Sequence, residues 1–397
     1  MAAEADGAAA RHGGRGADPG GPPIRVGILG ASPDRGWAVR AHIPALRALP
    51  QYEITAVGTS RRESAEAAAR QFGAAHAFTD ARRLAEHPEV DLVAVTVKVP
   101  AHAELVGAAL AAGKHVYCEW PLARDSKEAE ALAGAARAAG VHDAIGLQAR
   151  YAPAVRAARE LLAEGAIGRV LSATVYAARG KGAREQVEGW AAYTLDTSNG
   201  AGLVEVGAGH TLDALQYVVG DIAELSATLA VRSGVQRVEE TGEPVAVTSP
   251  DHLLLGGTVA DGAVVGAHIH DGKITEGRTR IEVSGTEGDL ALVSTETGGP
   301  AGLQIGALRL LATDPEGGGY REVPLPAGAP WPEGGDPGAQ AHNVARMYAA
   351  LADDIRTGSL RVPDFAAGVR LHRLLDTVRL SATTGTRRAT AGQEQHG

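Results

Sequence analysis

The sequence predicts two layered units in series. The first is an α/β unit on a doubly wound parallel sheet, the second an α+β unit with an open, mainly antiparallel sheet. Three observations predict this plan. Strand-like and helical segments alternate from Ile24 to Gly146, as they do where helices flank a parallel sheet. Beyond Gln148 the strand-like stretches follow one another with few helices between them, the habit of antiparallel sheets. The 397 residues, 45 % of them hydrophobic, exceed one ordinary core and carry enough apolar material for two.

Taken in order, residues 24–29 (IRVGIL) form a short apolar run ending at a glycine, as a buried parallel strand does. Residues 37–49 have helical spacing, 53–57 read as a strand and 64–72 as a helix. Residues 91–97 (DLVAVTV) are a strand, 103–112 an Ala-rich helix, 115–118 a strand and 127–139 a helix. In the second unit, residues 153–164 form a helix with proline in its first turn, where a missing N–H costs little. It is closed by Gly165 and Gly168. A strand follows at 170–176 and a helix at 209–219. Strands are then expected at 223–231, 252–259, 263–270, 279–284, 289–293 and 308–312, a Gly/Pro-rich loop at 315–338, and helices at 342–356 and 366–380. The expected organisation is a disordered tail over 1–23, the first unit over 24–147, the second over 148–385 and a C-terminal tail over 386–397.

Composition excludes several function classes. A net charge of −9 argues against a nucleic-acid footprint, which needs clustered Lys and Arg. A single cysteine leaves no intramolecular disulfide and no Cys-rich zinc site, so a reducing, cytoplasmic location is expected. No apolar run is long enough to span a bilayer, and the first 23 residues lack the apolar core of a secretory signal.

The loop after the first strand, Gly30-Ala-Ser-Pro-Asp-Arg-Gly36, is a candidate dinucleotide cradle, because glycines let backbone N–H groups approach a pyrophosphate at a helix N-terminus. Its pattern is imperfect: Ser32 stands where a second glycine is usual, and Gly36 comes one residue late. Trp37 opens the following helix. After the second strand, where a free ribose 2′-OH usually meets Asp or Glu, the chain offers Thr59-Ser60-Arg61-Arg62. Ser60 and a guanidinium suit a 2′-phosphate, so NADP(H) is favoured over NAD(H). The competing reading makes both arginines solvated first-turn residues.

Further on, Ala112-Gly-Lys-His-Val-Tyr-Cys-Glu-Trp-Pro-Leu122 with His102 upstream resembles the Gfo/Idh/MocA family of glucose–fructose oxidoreductase, inositol dehydrogenase and relatives. Supporting matches are Gly146-Leu-Gln-Ala-Arg150, Glu164-Gly-Ala-Ile-Gly168, Gly209-His-Thr-Leu-Asp213 and Gly285-Thr-Glu-Gly-Asp-Leu290. The subgroup containing the fungal repressor of the galactose regulon is the most similar, through Gly36-Trp-Ala38, Glu119-Trp120, the stretch from Gly209 to Tyr217, and Pro250-Asp-His-Leu-Leu254. The resemblance implies a Rossmann domain plus an open-faced domain with substrate held between them. It also implies oxidation or reduction of a carbinol in a sugar, cyclitol or related polar molecule, and a homo-oligomer formed through the second sheet. Cofactor-facing positions implied are Gly30, Ser32, Gly36, Trp37, Ser60, Arg61, Arg62, His102, Glu119, Trp120 and Gln148.

The chain departs from the family at the proton-handling positions. The family lysine lies in a Glu-Lys-Pro tripeptide, here Glu119-Trp120-Pro121. The aspartate found in many members four residues before the family histidine is Val206, and Glu205 beside it would point elsewhere on a helix. His210 matches the family histidine and suits either proton transfer or substrate positioning. Lys98, in place of a usual proline, is either a replacement donor, a ribose or phosphate contact, or a solvated loop residue. Trp120 either stacks on nicotinamide or a sugar, or fills the space the lysine left.

Arg150, Tyr151, Trp190 and Asp213 are candidate substrate contacts, and Lys181, Arg184 and Tyr193 lie on or before the loop expected to face the cleft. His268 and His270 share a strand face at period two, a candidate metal pair with no third ligand in view, so no metal site is expected. Two other functions remain open beside the dehydrogenase: a non-enzymatic cofactor-binding regulator, and a redox-neutral epimerase or eliminating hydrolase with a tightly held cofactor.

Overall fold

The computed structural model describes residues 21–181, 185–295, 302–326 and 338–390. Most of the expected N-terminal tail, Arg184 and the last seven residues lie outside them. The first unit has β1 (Ile24–Leu29), a π-helical turn Ala38–His42 running into α1 (Ile43–Arg47), β2 (Tyr52–Gly58), α2 (Arg62–Phe72), β3 (His76–Phe78) and α3 (Ala81–Ala85). It continues with β4 (Leu92–Val95), α4 (His102–Ala111), β5 (His115–Glu119), α5 (Ser126–Ala139) and β6 (Asp143–Gly146). The six strands pair in parallel in the order β3-β2-β1-β4-β5-β6. The order reverses between β1 and β4, so the crevice beyond their C-terminal ends is where such a sheet receives a ligand. Gly30 sits in that crevice at φ +98°, and a Cβ there would fall 2.9 Å from both Thr96 Oγ1 and Val97 Cγ1. Only glycine lets β1 leave the sheet so close to β4.

Expected and observed elements differ mainly where segments are short. β4 stops at Val95 rather than 97, because Thr96 turns back and donates its Oγ1 to Leu29 O at 2.8 Å. β3 and α3 span three and five residues, too few for a periodic signal. Asp80 nonetheless caps α3 by accepting the Arg82 N–H at 2.8 Å.

The second unit begins with α6 (Pro153–Ala163) and β7 (Val170–Ala178), then β8 (Gln186–Val187), a π-helical turn Leu203–Ala208 and α7 (Gly209–Val219). Next come β9 (Ile222–Ala230), β10 (Val235–Val238), β11 (Pro244–Ala246), β12 (His252–Val259), β13 (Val264–His270), β14 (Arg278–Gly285), β15 (Asp289–Ser294), β16 (Leu308–Thr313) and β17 (Tyr320–Glu322). The chain closes with α8 (Ala339–Thr357), α9 (Phe365–Thr384) and β18 (Arg388–Ala389). Nine strands pair in the order β17-β16-β15-β14-β7-β13-β12-β9-β18, antiparallel throughout except β7 with β13. One face buries Val265, Ala267, Ile269, Ile281 and Val283 against α6, α7 and α9. The other presents Leu254 and Val264 to solvent.

Three segments depart from the expected organisation. The tail expected from residue 386 contains β18, anchored by Thr390, whose N–H donates to Ala223 O at 2.8 Å. The expected loop 315–338 contains β17, which pairs with β16; its last part lies outside the described residues. α8 follows the second sheet in sequence but packs on the first, where Val344, Met347, Tyr348 and Leu351 join Ile28, Leu46 and Tyr117 in one core. Its apolar stripe has the spacing of any amphipathic helix, and nothing local says which sheet it covers. Among the described residues, no helix is long and apolar enough to cross a membrane.

Candidate active site at the junction of the two sheets

The loop after β1 gives the site its first wall. Ser32 N–H donates to Gly30 O at 2.9 Å, Gly36 adopts φ +111° in open space, and Arg40 N–H reaches back to Gly36 O. Trp37 is half-buried, and its Nε1 is a buried donor with no partner among the described residues. Past β2, Ser60, Arg61 and Arg62 are exposed. The two arginines differ. Arg62 Nε binds Glu66 Oε1 one turn along its own helix at 2.8 Å, whereas Arg61, in extended backbone at the helix cap, has no ion pair among the described residues.

The second wall is the end of β5. Glu119 is buried, and its Oε1 meets His42 Nε2 at 2.8 Å; the other nitrogen of that ring meets the Tyr348 hydroxyl at 2.8 Å. Gln148 Nε2 lies 3.4 Å from Glu119 Oε2, and a Cβ on Gly146 would strike that carboxylate at 2.8 Å. The carboxylate is thus held from two sides, by the turn after β1 and by the segment after β6. His42 and Tyr348 carry no sequence signal for this role; contact across 306 residues makes it. His102 is buried with Nδ1 at 2.8 Å from Pro121 O and Nε2 at 3.1 Å from Val97 O. It ties the exits of β4 and β5 together, and burial pushes its pKa down.

Trp120 follows, joined to Pro121 by a cis peptide bond. Its indole is only 5 % exposed, donates Nε1–H to Glu205 O at 2.8 Å and lies 4.7 Å from the His372 ring. A Cβ on Gly209 would come within 2.5 Å of that Nε1. The indole is packed between α7, α9 and the second unit's π-helical turn. Its ring and its N–H are both engaged by these neighbours. Glu205 points away from the site, accepting the Gly202 N–H at 2.9 Å and pairing with Arg379.

His210, in the first turn of α7, is buried with Nδ1 unpartnered, and desolvation pushes its pKa down to about 4 against the pull of Glu119. It is a neutral imidazole at pH 7. Lys98 is exposed and holds its ammonium 4.5 Å over the Tyr193 ring, bridging the two units by a cation–π contact. Lys181 donates to Thr194 Oγ1 at 2.9 Å. Arg150 grips the buried Asp213, with Nε 3.0 Å from Oδ2, so these two groups satisfy each other. Tyr151 packs on the α8 side of the first core, and Trp190 is 49 % exposed with Nε1 on Glu188 at 2.8 Å. The structure brings neither of these two to His210. What the sequence did not single out is a cleft of about 260 Å³ beside the π-helical turn, lined by Arg179, Gly207, Thr211, Lys273 and Gln304. Arg179 is held there by Asp271 at 2.7 Å.

Comparisons with known proteins fit this plan. Residues 24–146 match the model of the oxidoreductase family with NAD-binding Rossmann fold, Gfo/Idh/MocA, and residues 153–294 that of the Gal80p C-terminal domain. The chain is 31 % identical over 367 residues to the galactose/lactose metabolism regulatory protein GAL80 of Saccharomyces cerevisiae, covering 86 % of this chain and 82 % of that one. It belongs to the Gfo/Idh/MocA family. Dehydrogenase aclE of Aspergillus oryzae is 40 % identical over 210 residues, 51 % of this chain and 57 % of that protein, so the chain spans little more than half of that relative. A crystal structure of a Saccharomyces cerevisiae Gal80p super-repressor mutant superposes with a TM-score of 0.82 at 27 % identity, covering 92 % of this chain and 98 % of that one.

A nicotinamide dinucleotide fits this Gfo/Idh/MocA chain's own residues. Of the eight buried side-chain polar atoms without partners among the described residues, Trp37 Nε1, Gln148 Oε1 and His210 Nδ1 lie in segments that follow β1 and β6 and open α7. Unsatisfied buried groups are costly, and a polar ligand in the crevice would relieve them. In the bound state, Gly30, Ser32 and Gly36 would face the phosphates and Arg61 the adenosine ribose.

Proposed function

We propose that the chain is an NADP(H)-dependent oxidoreductase that moves hydride to or from a carbinol carbon of a sugar, cyclitol or related polar molecule. The observation that carries the reading is His210: a buried, neutral imidazole with a free Nδ1, in a chain of the Gfo/Idh/MocA family. The bound nicotinamide supplies the hydride acceptor or donor. His210 receives the hydroxyl proton when the carbinol is oxidised and returns it in the reverse direction. Arg179 and Lys273 present donors to substrate hydroxyls along the cleft. Arg61, without a carboxylate partner, is the group that selects the 2′-phosphate. Lys98 takes the part of the lost lysine as a proton donor, and its contact with Tyr193 ties one unit to the other. The exposed face of the nine-stranded sheet joins copies of the chain into a homo-oligomer, and the protein works in the cytoplasm.

A second reading has its own observation. The buried indole at Trp120 removes the usual proton-transfer group, and the long match to the GAL80 regulatory protein runs through it. On that reading the chain binds cofactor without turnover and acts through a protein partner. Fluorescence titration with NADPH and NADH, followed by a screen of sugars and cyclitols for cofactor reduction, separates the two. Turnover lost in His210→Asn with cofactor affinity intact supports the oxidoreductase. NADPH binding without turnover on any carbinol supports the regulator.

A further inference from the structure

Outside the candidate active site, three side chains converge between the edge strand β3 and the turn that leads into β4. His76 opens β3, the edge strand, in register with Ala56 of β2. His87 and Glu89 lie in the turn that leads from α3 into β4. His76 Nε2 meets Glu89 Oε2 at 2.5 Å, the His76 and His87 ring centroids are 4.0 Å apart, and one ligand atom from each residue lies within 4.8 Å of the other two. We propose that His76, His87 and Glu89 form a binding site for a divalent transition metal of the zinc type.

Two imidazoles and a carboxylate are a donor set zinc takes, with a fourth position left for water; hard cations such as Mg²⁺ prefer all-oxygen shells. The scaffold is already rigid. Glu89 O accepts from Thr55 Oγ1 at 2.6 Å, His87 O accepts the Val90 N–H at 3.1 Å, and Lys114 Nζ donates to Val90 O at 2.7 Å. The main chain around two of the ligands therefore loses little freedom when metal arrives. The Phe78 ring stands 5.6 Å from that of His87 and walls one side. Coordination replaces two hydrogen bonds, the 3.2 Å contact from Glu89 N–H to His87 Nδ1 and the bond between His76 Nε2 and Glu89 Oε2, as the exposed carboxylate moves off His76 to admit the ion. The site joins the edge strand to the turn before β4, so its role is structural and separate from the cofactor chemistry.

The test uses the full chain after treatment with a chelator, titrated with Zn²⁺ against a chromophoric competitor and with Co²⁺ by visible absorption. One equivalent of metal, a raised melting temperature in Zn²⁺ and none in Mg²⁺ are expected. His76→Gln/His87→Gln should weaken Zn²⁺ binding at least tenfold and abolish the melting shift; Glu89→Gln serves if that variant does not fold. His252→Gln/His268→Gln is the control, because those two and His270 form a separate histidine cluster, with ring centroids 4.7 to 6.3 Å apart. Binding that survives the first change but fails in the control, or no stoichiometric binding at all, overturns the assignment.

Discussion

Replacing Gly209 with alanine tests whether Trp120 fills the lysine's place as a rigid plug. The new Cβ would lie 2.5 Å from Trp120 Nε1 and 3.0 Å from Cε2 and Cζ2. The indole has no room to yield: its N–H is held by Glu205 O and its ring leans on His372. Overpacking of this kind costs about 1–3 kcal/mol. Gly209 has ordinary helical angles, φ −53° and ψ −56°, so alanine also gains about 1 kcal/mol of helix propensity. The expected net loss in the natural background is about 0–2 kcal/mol. With Trp120→Leu already in place the clash is gone, and Gly209→Ala should be neutral or stabilise by up to about 1 kcal/mol. The coupling between the two sites is therefore about 1–3 kcal/mol, within reach of a double-mutant cycle. Urea denaturation of the four proteins, followed by circular dichroism, measures it. Equal costs of Gly209→Ala in both backgrounds would refute the plug.

Three further outcomes are expected. Arg61→Ala should weaken NADPH about tenfold or more and leave NADH nearly unchanged, since a hydrogen bond to a charged group is worth about 1.5–3 kcal/mol; Arg62→Ala, paired with Glu66, should do less. Equal loss for both cofactors would remove the 2′-phosphate assignment. Stability should fall as pH drops from 6.5 towards 4. His210 and His372, pushed down to about 4, bind fewer protons folded than unfolded across that window. Asp143, pushed up to about 6, opposes them with one proton. These three groups leave about one proton, roughly 1 kcal/mol per pH unit, to which His102, also pushed down by burial, adds in the same direction; Asp143→Asn should steepen the slope measured from urea midpoints. Finally, Asp213→Asn strands a largely buried guanidinium and should cost about 3–5 kcal/mol, while Arg150→Met/Asp213→Leu should cost much less; similar losses in both would show that the charges themselves are needed.

The fold was legible wherever periodicity had room to act. β1, β12 and α7 lie where the pattern puts them, because six to eleven residues suffice for a buried run, an alternation or a helical stripe. β3, β8 and β18 are two or three residues long and exist through pairing with strands distant in sequence. The same holds for the site. Gly30 and His210 stand in local patterns that can be read, whereas His42 and Tyr348 reach Glu119 only through the tertiary fold. His252 shows the point on a strand: His268 and His270 were paired by period, but antiparallel register sets His252 directly opposite His270, where the rings stack at 5.2 Å.

On the family resemblance, the departures at Trp120 and at Val206, four residues before His210, are physically one change. Trp120, at the position where the family resemblance implies lysine, donates to the carbonyl of Glu205, the residue just before the position where it implies aspartate. The Glu205 side chain is in turn drawn outward by Arg379 of α9, and His372 of the same helix packs on the indole. A lysine at position 120 alone would place an ammonium among Gly209, His372 and a carbonyl, with no carboxylate facing it, because Glu205 is already paired. Charge buried without a partner is costly. Restoring the family arrangement therefore requires Trp120→Lys together with Val206→Asp. The single change should destabilise the protein without adding activity; if it instead raises turnover, the indole is a removable plug over a site that is otherwise complete.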